Sequence, residues 1–291
     1  MATALSWQQE DVRLGDVDRA LARLRSEAAV DGPSMRTSVM THIAWVPGLW
    51  AGPARAALSG MAERHPSRTI LLFPEPDAGA NRLDASLSLE SYAVPGVDRR
   101  VVSEVIELRL LGTRAKAPAS VVLPLLISDL PVFLRWRGEP EWGSPELTQL
   151  VDVVDRLIVD STEWDELPHA YKRLTELFPR VAVSDIAWSR TSRWRRLLAS
   201  LWPDIEGVRT IRVTGTNAQA LLLAGWLRSR LDREDIAVEH VAAERLVGID
   251  LDGKPAPFPP GDPPQPSDVL SDELDRFTRD AVYEAAVAAA L

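Results

Sequence analysis

The sequence predicts a mixed α/β protein of two domains: an N-terminal α+β domain with antiparallel strands over 1–138, and a C-terminal domain over 146–291. The second is expected to be an α/β sheet covered by helices and to end in an amphipathic helix. Three observations carry this. After residue 145, helix-periodic and strand-like segments alternate, the pattern of a sheet covered by helices. Before residue 138, two β-forming runs flank Gly96, as in an antiparallel pair. Between the two regions, Gly138-Glu-Pro-Glu-Trp-Gly-Ser-Pro145 has the composition of a linker. A chain of 291 residues has room for one large or two ordinary domains.

In chain order, Asp16 is placed to cap a first helix whose apolar face is Val17, Leu21 and Leu24. Thr37–Val46 reads as a strand, Ala51–Arg64 as a helix and Thr69–Phe73 as a short buried strand. Leu83–Tyr92 and Val101–Leu111 form the expected antiparallel pair. Ala115–Ile127 is helix-like, with Pro118 and Pro124 interrupting it. Val132–Trp136 is the next strand. Helix Pro145–Val153 then leads to strand Arg156–Asp160, and helix His169–Leu177 to strand Val181–Asp185. A Trp/Arg-rich helix leads to strand Thr210–Val213. Helix Ala218–Leu231 leads to strands Ala237–Val241 and Arg245–Leu251. Pro255–Pro266 is a proline-rich, extended loop. Ser271 is placed to cap the terminal helix, with Leu274, Phe277, Ala281, Val282 and Ala285 on its apolar side.

Composition narrows the function. With no cysteine, the sequence holds no disulfide, thiolate metal site or thiol switch. The four histidines are scattered without a metal-ligand spacing, which argues against zinc catalysis. A net charge of −9 argues against a nucleic-acid footprint. Apolar stretches such as Val121–Ile127 are far short of a membrane span, and the first residues lack a basic, apolar leader. A cytoplasmic location is therefore expected. Only Lys116, Lys172 and Lys254 are lysines; the remaining basic residues are arginines, planar forks suited to carboxylates and phosphates.

The most informative stretch is 184–202, rich in tryptophan and arginine. Trp194, Leu197, Leu198, Leu201 and Trp202 recur at helical spacing and read as a core face ended by Pro203. Asp185, Trp188, Arg190 and Arg195 are left over for a partner or effector surface. Arg135-Trp136-Arg137 on a strand is a second candidate, since Trp and Arg are enriched at interface hot spots. The turn Thr214-Gly-Thr-Asn217 holds one glycine and no following lysine, so it reads as a helix cap rather than a phosphate loop. No catalytic or cofactor motif emerges, and no cofactor is expected.

Several short motifs occur in order: His65-Pro-Ser-Arg-Thr-Ile-Leu-Leu72, Arg82-Leu-Asp-Ala85, Val121-Val-Leu-Pro-Leu-Leu126, Asp129-Leu-Pro-Val132 with Trp136, Asp155-Arg-Leu-Ile-Val-Asp-Ser161, and Asp185-Ile-Ala-Trp-Ser-Arg-Thr191 with Trp194-Arg195. From about residue 36 to about residue 250 the chain resembles the OpcA family, the glucose-6-phosphate dehydrogenase assembly proteins of cyanobacteria and actinobacteria. The arginine-heavy composition looks like an actinobacterial member. The resemblance implies a non-catalytic partner of glucose-6-phosphate dehydrogenase that promotes its assembly or allosteric activation. Cyanobacterial members are linked to thioredoxin control through cysteines, a mode that needs thiols this sequence lacks. The alternative from the residues themselves is an enzyme or sensor for a sugar-phosphate effector, with Asp185 orienting Arg190 and Arg195 on the phosphate.

Overall fold

A computed structural model describes residues 4–30, 34–35, 38–58, 66–93, 100–261 and 266–291. Five expectations fall outside the described residues: the first residue of the strand expected from Thr37, the end of the helix begun at Ala51, His65, Gly96, and the 262–265 portion of the proline-rich loop. The chain divides into two compact units, Met1–Leu157 and Ile158–Leu291. The expected linker at 138–145 lies inside the first.

The first unit contains, in order, β1 (Ala4–Gln9), α1 (Leu14–Val30), β2 (Ser34–Met35), β3 (Met40–Trp45), α2 (Ala51–Leu58), β4 (Ser67–Glu75), β5 (Leu83–Ala93), β6 (Arg100–Leu111), α3 (Pro118–Val122), β7 (Val132–Trp136) and α4 (Pro145–Val151). Its strands lie in the order β1-β5-β6-β4-β3-β7, with β2 also on β6. β5 and β6 are antiparallel, as expected, with Leu87 opposite Ile106. β6, β4, β3 and β7 are all parallel, so the sheet is mixed rather than antiparallel throughout. The reason is the connections: α2 carries the chain from β3 to β4 and α3 from β6 to β7, and helical crossovers join parallel strands. Ile43, Ile70, Leu72, Leu108 and Leu134 are fully buried along these strands. Both faces of β3 are covered, the usual state of parallel strands.

Three local details differ from expectation. Ala4–Gln9 pairs with β5 although half of its residues are polar, because an adjacent edge, not local propensity, makes it a strand. Asp16 does not cap α1 from outside; it sits in the first turn, where its carboxylate accepts from the Arg13 backbone N–H at 2.9 Å. The expected helix at 115–127 breaks into α3 and two flanking 3-10 turns, since neither Pro118 nor Pro124 has an N–H to donate. Beneath α1, Val17, Leu21 and Leu24 are buried as its periodicity requires. Beside them Glu104 is also buried, held by Arg25 at 2.7 and 3.0 Å and by Arg68 at 2.8 Å. Burial pushes this carboxyl up, but the Arg25 hydrogen bond and the charges of Arg68 and Arg25 outweigh it and hold it below its ordinary value.

The division between units falls within β8 (Arg156–Val159), which is hydrogen-bonded to β9. The second unit continues through α5 (His169–Thr175), β9 (Ala182–Asp185), α6 (Ile186–Arg190), α7 (Ser192–Ser200), β10 (Thr210–Gly215), α8 (Asn217–Leu231), β11 (Ala237–Ala242), β12 (Gly248–Leu251), β13 (Lys254–Pro255), α9 (Pro266–Leu274) and α10 (Ala281–Ala289). β11-β10-β12-β13 form a second sheet, with β10 parallel to β11 and antiparallel to β12. Ile211, Val213 and Gly215 of β10 are buried and Arg212 is exposed, so this sheet has a covered and an open face. No helix among the described residues is long and apolar enough to cross a membrane.

α8 starts in a reciprocal cap: Thr216 Oγ1 accepts from Gln219 N at 3.3 Å, and Gln219 Oε1 accepts from Thr216 N at 3.1 Å. Two of the backbone donors at this turn are therefore used by the protein itself. The expected single terminal helix is instead α9 and α10. Asp280 accepts from the backbone N–H groups of Val282 and Tyr283 at 3.1 and 2.9 Å, which starts a new helix there. Ser271 lies buried within α9, while Phe277 is exposed between the helices. α10 packs so closely on α8 that a Cβ on Gly225 would lie 2.1 Å from the Ala286 carbonyl oxygen and 2.8 Å from the Ala290 nitrogen. Helix propensity alone favours alanine at this position by about 1 kcal/mol. Overpacking a rigid backbone contact costs about 1–3 kcal/mol and reverses the sign. Gly225→Ala is accordingly expected to lower Tm by about 5 °C; an unchanged or raised Tm in a thermal melt would show that α10 does not dock there.

Candidate functional site

The Asp185 segment is built from two strand ends. β8 delivers Asp160 and Ser161, and β9 delivers Asp185, which then caps α6 by accepting from Ala187 N at 2.8 Å. The Asp185 carboxylate also accepts from Ser161 N at 3.1 Å, from Ser161 Oγ at 2.6 Å and from the Tyr283 hydroxyl of α10 at 3.3 Å. Tyr171 of α5 lies 3.0 Å from Ser161 Oγ and reaches the Ala218 carbonyl at 3.4 Å. Asp185, Ser161, Tyr171 and Tyr283 are all completely buried. Ser161 and Asp185 thus resemble a nucleophile and base in distance alone, and the pair is closed to solvent. It works as a tie that joins β8, β9, α6 and α10.

Electrostatics follow from that burial. The Asp185 carboxyl is pushed up to about 7, first by burial and then by the nearby Asp160 charge, against the hydrogen bonds from Ser161 and Ala187. The Tyr171 and Tyr283 hydroxyls are pushed well above the ordinary tyrosine range by burial and by Asp185, so both remain neutral donors.

Around this core the expected site residues separate into layers. Trp188 is buried, not surface-exposed; its Nε1 donates to Asp280 at 3.0 Å and its ring lies 5.7 Å from that of Tyr283. Asp185 likewise belongs to the interior, because a cap on α6 that also receives Tyr283 is covered by two helices. Arg190 pairs with Asp160 at 3.0 Å, so Asp160 rather than Asp185 orients it. Arg195 lies 3.4 Å above the Trp188 ring and donates to Thr191 Oγ1 at 3.0 Å. Burial lowers the Arg195 guanidinium to about 10, with Asp280 opposing and Arg276 and Arg196 reinforcing the fall; it stays cationic at neutral pH. Ser189 donates to Glu273 of α9. The expected core face also needs correction. Trp194 and Leu198 are buried, whereas Leu197 and Leu201 are half-buried and Trp202 is 60% exposed, because α7 ends at Ser200 before the periodicity reaches it.

The second candidate lies in the first unit. Arg135 and Trp136 are buried, and only Arg137 reaches partial exposure. Alternation did not separate them because β7 is covered on both faces. Arg135 donates to the Trp136 carbonyl, and Trp136 stacks on Trp45 with centroids 5.0 Å apart. Arg137 lies 4.4 Å over the Trp50 ring, and Leu49 beside it is almost fully exposed. Gly138 takes a left-handed φ of 76°, with its missing Cβ only 3.1 Å from Trp50 Nε1.

Sequence reasoning did not single out Tyr171 or Tyr283, and it gave Ser161, Glu273 and Asp280 no role beside Asp185. Asp160-Ser161 at a strand end was a visible signal. Tyr283 had none, being 98 residues from its partner. Among the described residues no cluster of His, Asp or Glu is arranged to hold a metal ion.

Comparison with known proteins bears on both candidates. Two family profiles match in order: one described as the N-terminal domain of a glucose-6-phosphate dehydrogenase subunit, over 57–176, and one described as its C-terminal domain, over 181–258. The first contains Arg135–Arg137 and the second contains Asp185–Arg195. A protein of Nostoc punctiforme is 28% identical over 212 residues, and one of Synechocystis is 27% identical over 193; both carry the name OxPP cycle protein OpcA. These matches cover 68% and 62% of this chain but 45% and 40% of the relatives, so the chain matches less than half the length of each. Both relatives are cyanobacterial and lend nothing to the actinobacterial expectation. No solved structure matches.

The raised Asp185 carboxyl has a consequence for stability. The folded chain binds this proton more tightly than the unfolded chain, whose value is near 3.8, so the contribution is full at acid pH and is lost as pH rises through about 7. Urea midpoints should fall between pH 5 and pH 8 in the native chain and fall less in Asp185→Asn. An equal decline in both proteins would remove Asp185 as the cause.

Proposed function

The chain belongs to the OpcA family, and from that membership we propose that it is a non-catalytic assembly factor and allosteric activator of glucose-6-phosphate dehydrogenase in the cytoplasmic oxidative pentose phosphate cycle. The observation that carries the reading is the ordered match to both the N-terminal and the C-terminal domain of a dehydrogenase subunit within one chain. Activation follows if the chain binds the active form of the dehydrogenase more tightly than the inactive form and so shifts that population.

The geometry favours this reading over a sugar-phosphate effector site. Arg190, a proposed phosphate ligand, already has the Asp160 carboxylate, and Arg195 is turned onto Trp188. A phosphate would have to displace an ion pair from one and a buried stacking contact from the other. Of the seven candidate residues, Arg137, Arg190 and Arg195 retain solvent access and are proposed to face the partner. Asp185, Trp188, Arg135 and Trp136 act from inside by fixing the surface above them.

The purified chain mixed with the dehydrogenase of the same organism should co-elute with it and change its kcat or its KM for glucose 6-phosphate by at least twofold. Separate elution with unchanged kinetics would overturn the proposal.

A further inference from the structure

Arg193, Arg195 and Arg196 lie close together on α7, and among the described residues none has a carboxylate within 4.0 Å; their polar and ring contacts there are to carbonyls, a hydroxyl or an indole. All three fall within four consecutive positions of one short helix, in a chain of 42 acidic and 33 basic residues. Elsewhere exposed arginines such as Arg55, Arg109, Arg212 and Arg279 are taken by neighbouring carboxylates at 2.6–2.9 Å. The three arginines also have different duties. Arg195 is committed to Trp188. Arg193 donates to the Pro259 and Pro260 carbonyls at 2.8 Å each, and so pins the proline-rich segment against α7. Arg196 makes one 3.4 Å contact to the Ser192 carbonyl and is exposed.

Between α7 and the pinned segment runs an open groove of about 560 Å³, lined by Arg193, Arg196, Leu197, Ser200, Pro259 and Pro260. Its walls are mostly apolar, and no carboxylate among the described residues lines it. Trp194 lies edge-on to Phe258 at 5.4 Å below the pinned segment, and Phe258 is 68% exposed. Pro259 and Pro260 have no N–H and a restricted backbone, so this wall is stiff before anything binds.

We propose that this groove docks an acidic, extended segment of a protein partner, with a carboxylate on Arg196 and an apolar side chain against Leu197 and Pro260. The occupant's acidity follows from charge complementarity, since the groove places cations without a lining carboxylate on a chain whose net charge is −9. The same net charge disfavours nucleic acid as the occupant. The proposal rests on the reading that the partner is the dehydrogenase, and it assigns to that partnership the surface used.

The test measures dehydrogenase binding to the native chain, to the double variant Arg196→Glu/Ser200→Glu, and to Arg230→Glu as a control. Arg230 is an exposed residue of α8 and receives the same charge reversal. Both altered groove residues are exposed, and unchanged thermal melts verify the fold. The native affinity should weaken with added salt, the double variant should bind at least tenfold more weakly, and Arg230→Glu should stay within twofold. Equal binding by the native chain and the double variant overturns the groove while leaving the dehydrogenase reading intact. Absence of binding by the native chain overturns that reading and the groove with it. A single-stranded DNA oligonucleotide held by the native chain and lost in the double variant would assign the groove to nucleic acid and likewise overturn the proposal.

Discussion

Burying a carboxylate costs several kcal/mol unless donors surround it, and the second unit is arranged so that Asp185 has them. Two backbone N–H groups and two hydroxyls converge on it from β8, β9, α6 and α10. Satisfying this one group sets where α6 begins, where the chain leaves β8, and where the terminal helix returns. Tyr283 then carries Trp188 and Phe178 against its ring, and Trp188 carries Arg195. This partly exposed cation is thus positioned by a chain of contacts that starts at a buried acid.

The first unit answers the same constraint differently. Glu104 is surrounded by the guanidinium groups of Arg25 and Arg68, and its carboxyl is held down. Asp185 is surrounded by neutral donors, and its carboxyl is held up. Full charges nearby stabilise the ionised form by Coulomb attraction, whereas neutral donors in a dry site offset only part of the lost hydration. Two buried acids therefore respond in opposite directions to pH: one locks its surroundings as a permanent anion, and the other is poised to gain or lose a proton near neutrality.

Function, on this view, sits at the rims of well-packed interiors. The residues first marked for recognition are divided by burial. Asp185, Trp188, Arg135 and Trp136 are inside, and Arg137, Arg190 and Arg195 reach the boundary. α7 illustrates the arrangement: Trp194 and Leu198 anchor it, and Arg193 and Arg196 face a groove that no acid among the described residues lines. Membership in the OpcA family motivates the proposed partner, and the groove on α7 is the surface proposed for it.

Much of the architecture was legible in the residues. Periodicity located α1, α8 and the β5–β6 pair, and the Thr216 cap followed from local side-chain chemistry, because these depend on neighbours a few residues away. Parallel pairing in the first sheet was not legible, since parallel partners are brought together by crossovers whose path the local pattern does not encode. Nor was the burial of Arg135 and Trp188, because a strand covered on both faces hides its alternation and a tryptophan fits a core or a surface equally well by type. The ordered motifs by themselves determined the family resemblance, and composition excluded thiol chemistry. Only the tertiary structure decided that Arg190 is held by Asp160 and Arg195 by Trp188, because such contacts depend on distances that the local sequence pattern does not encode.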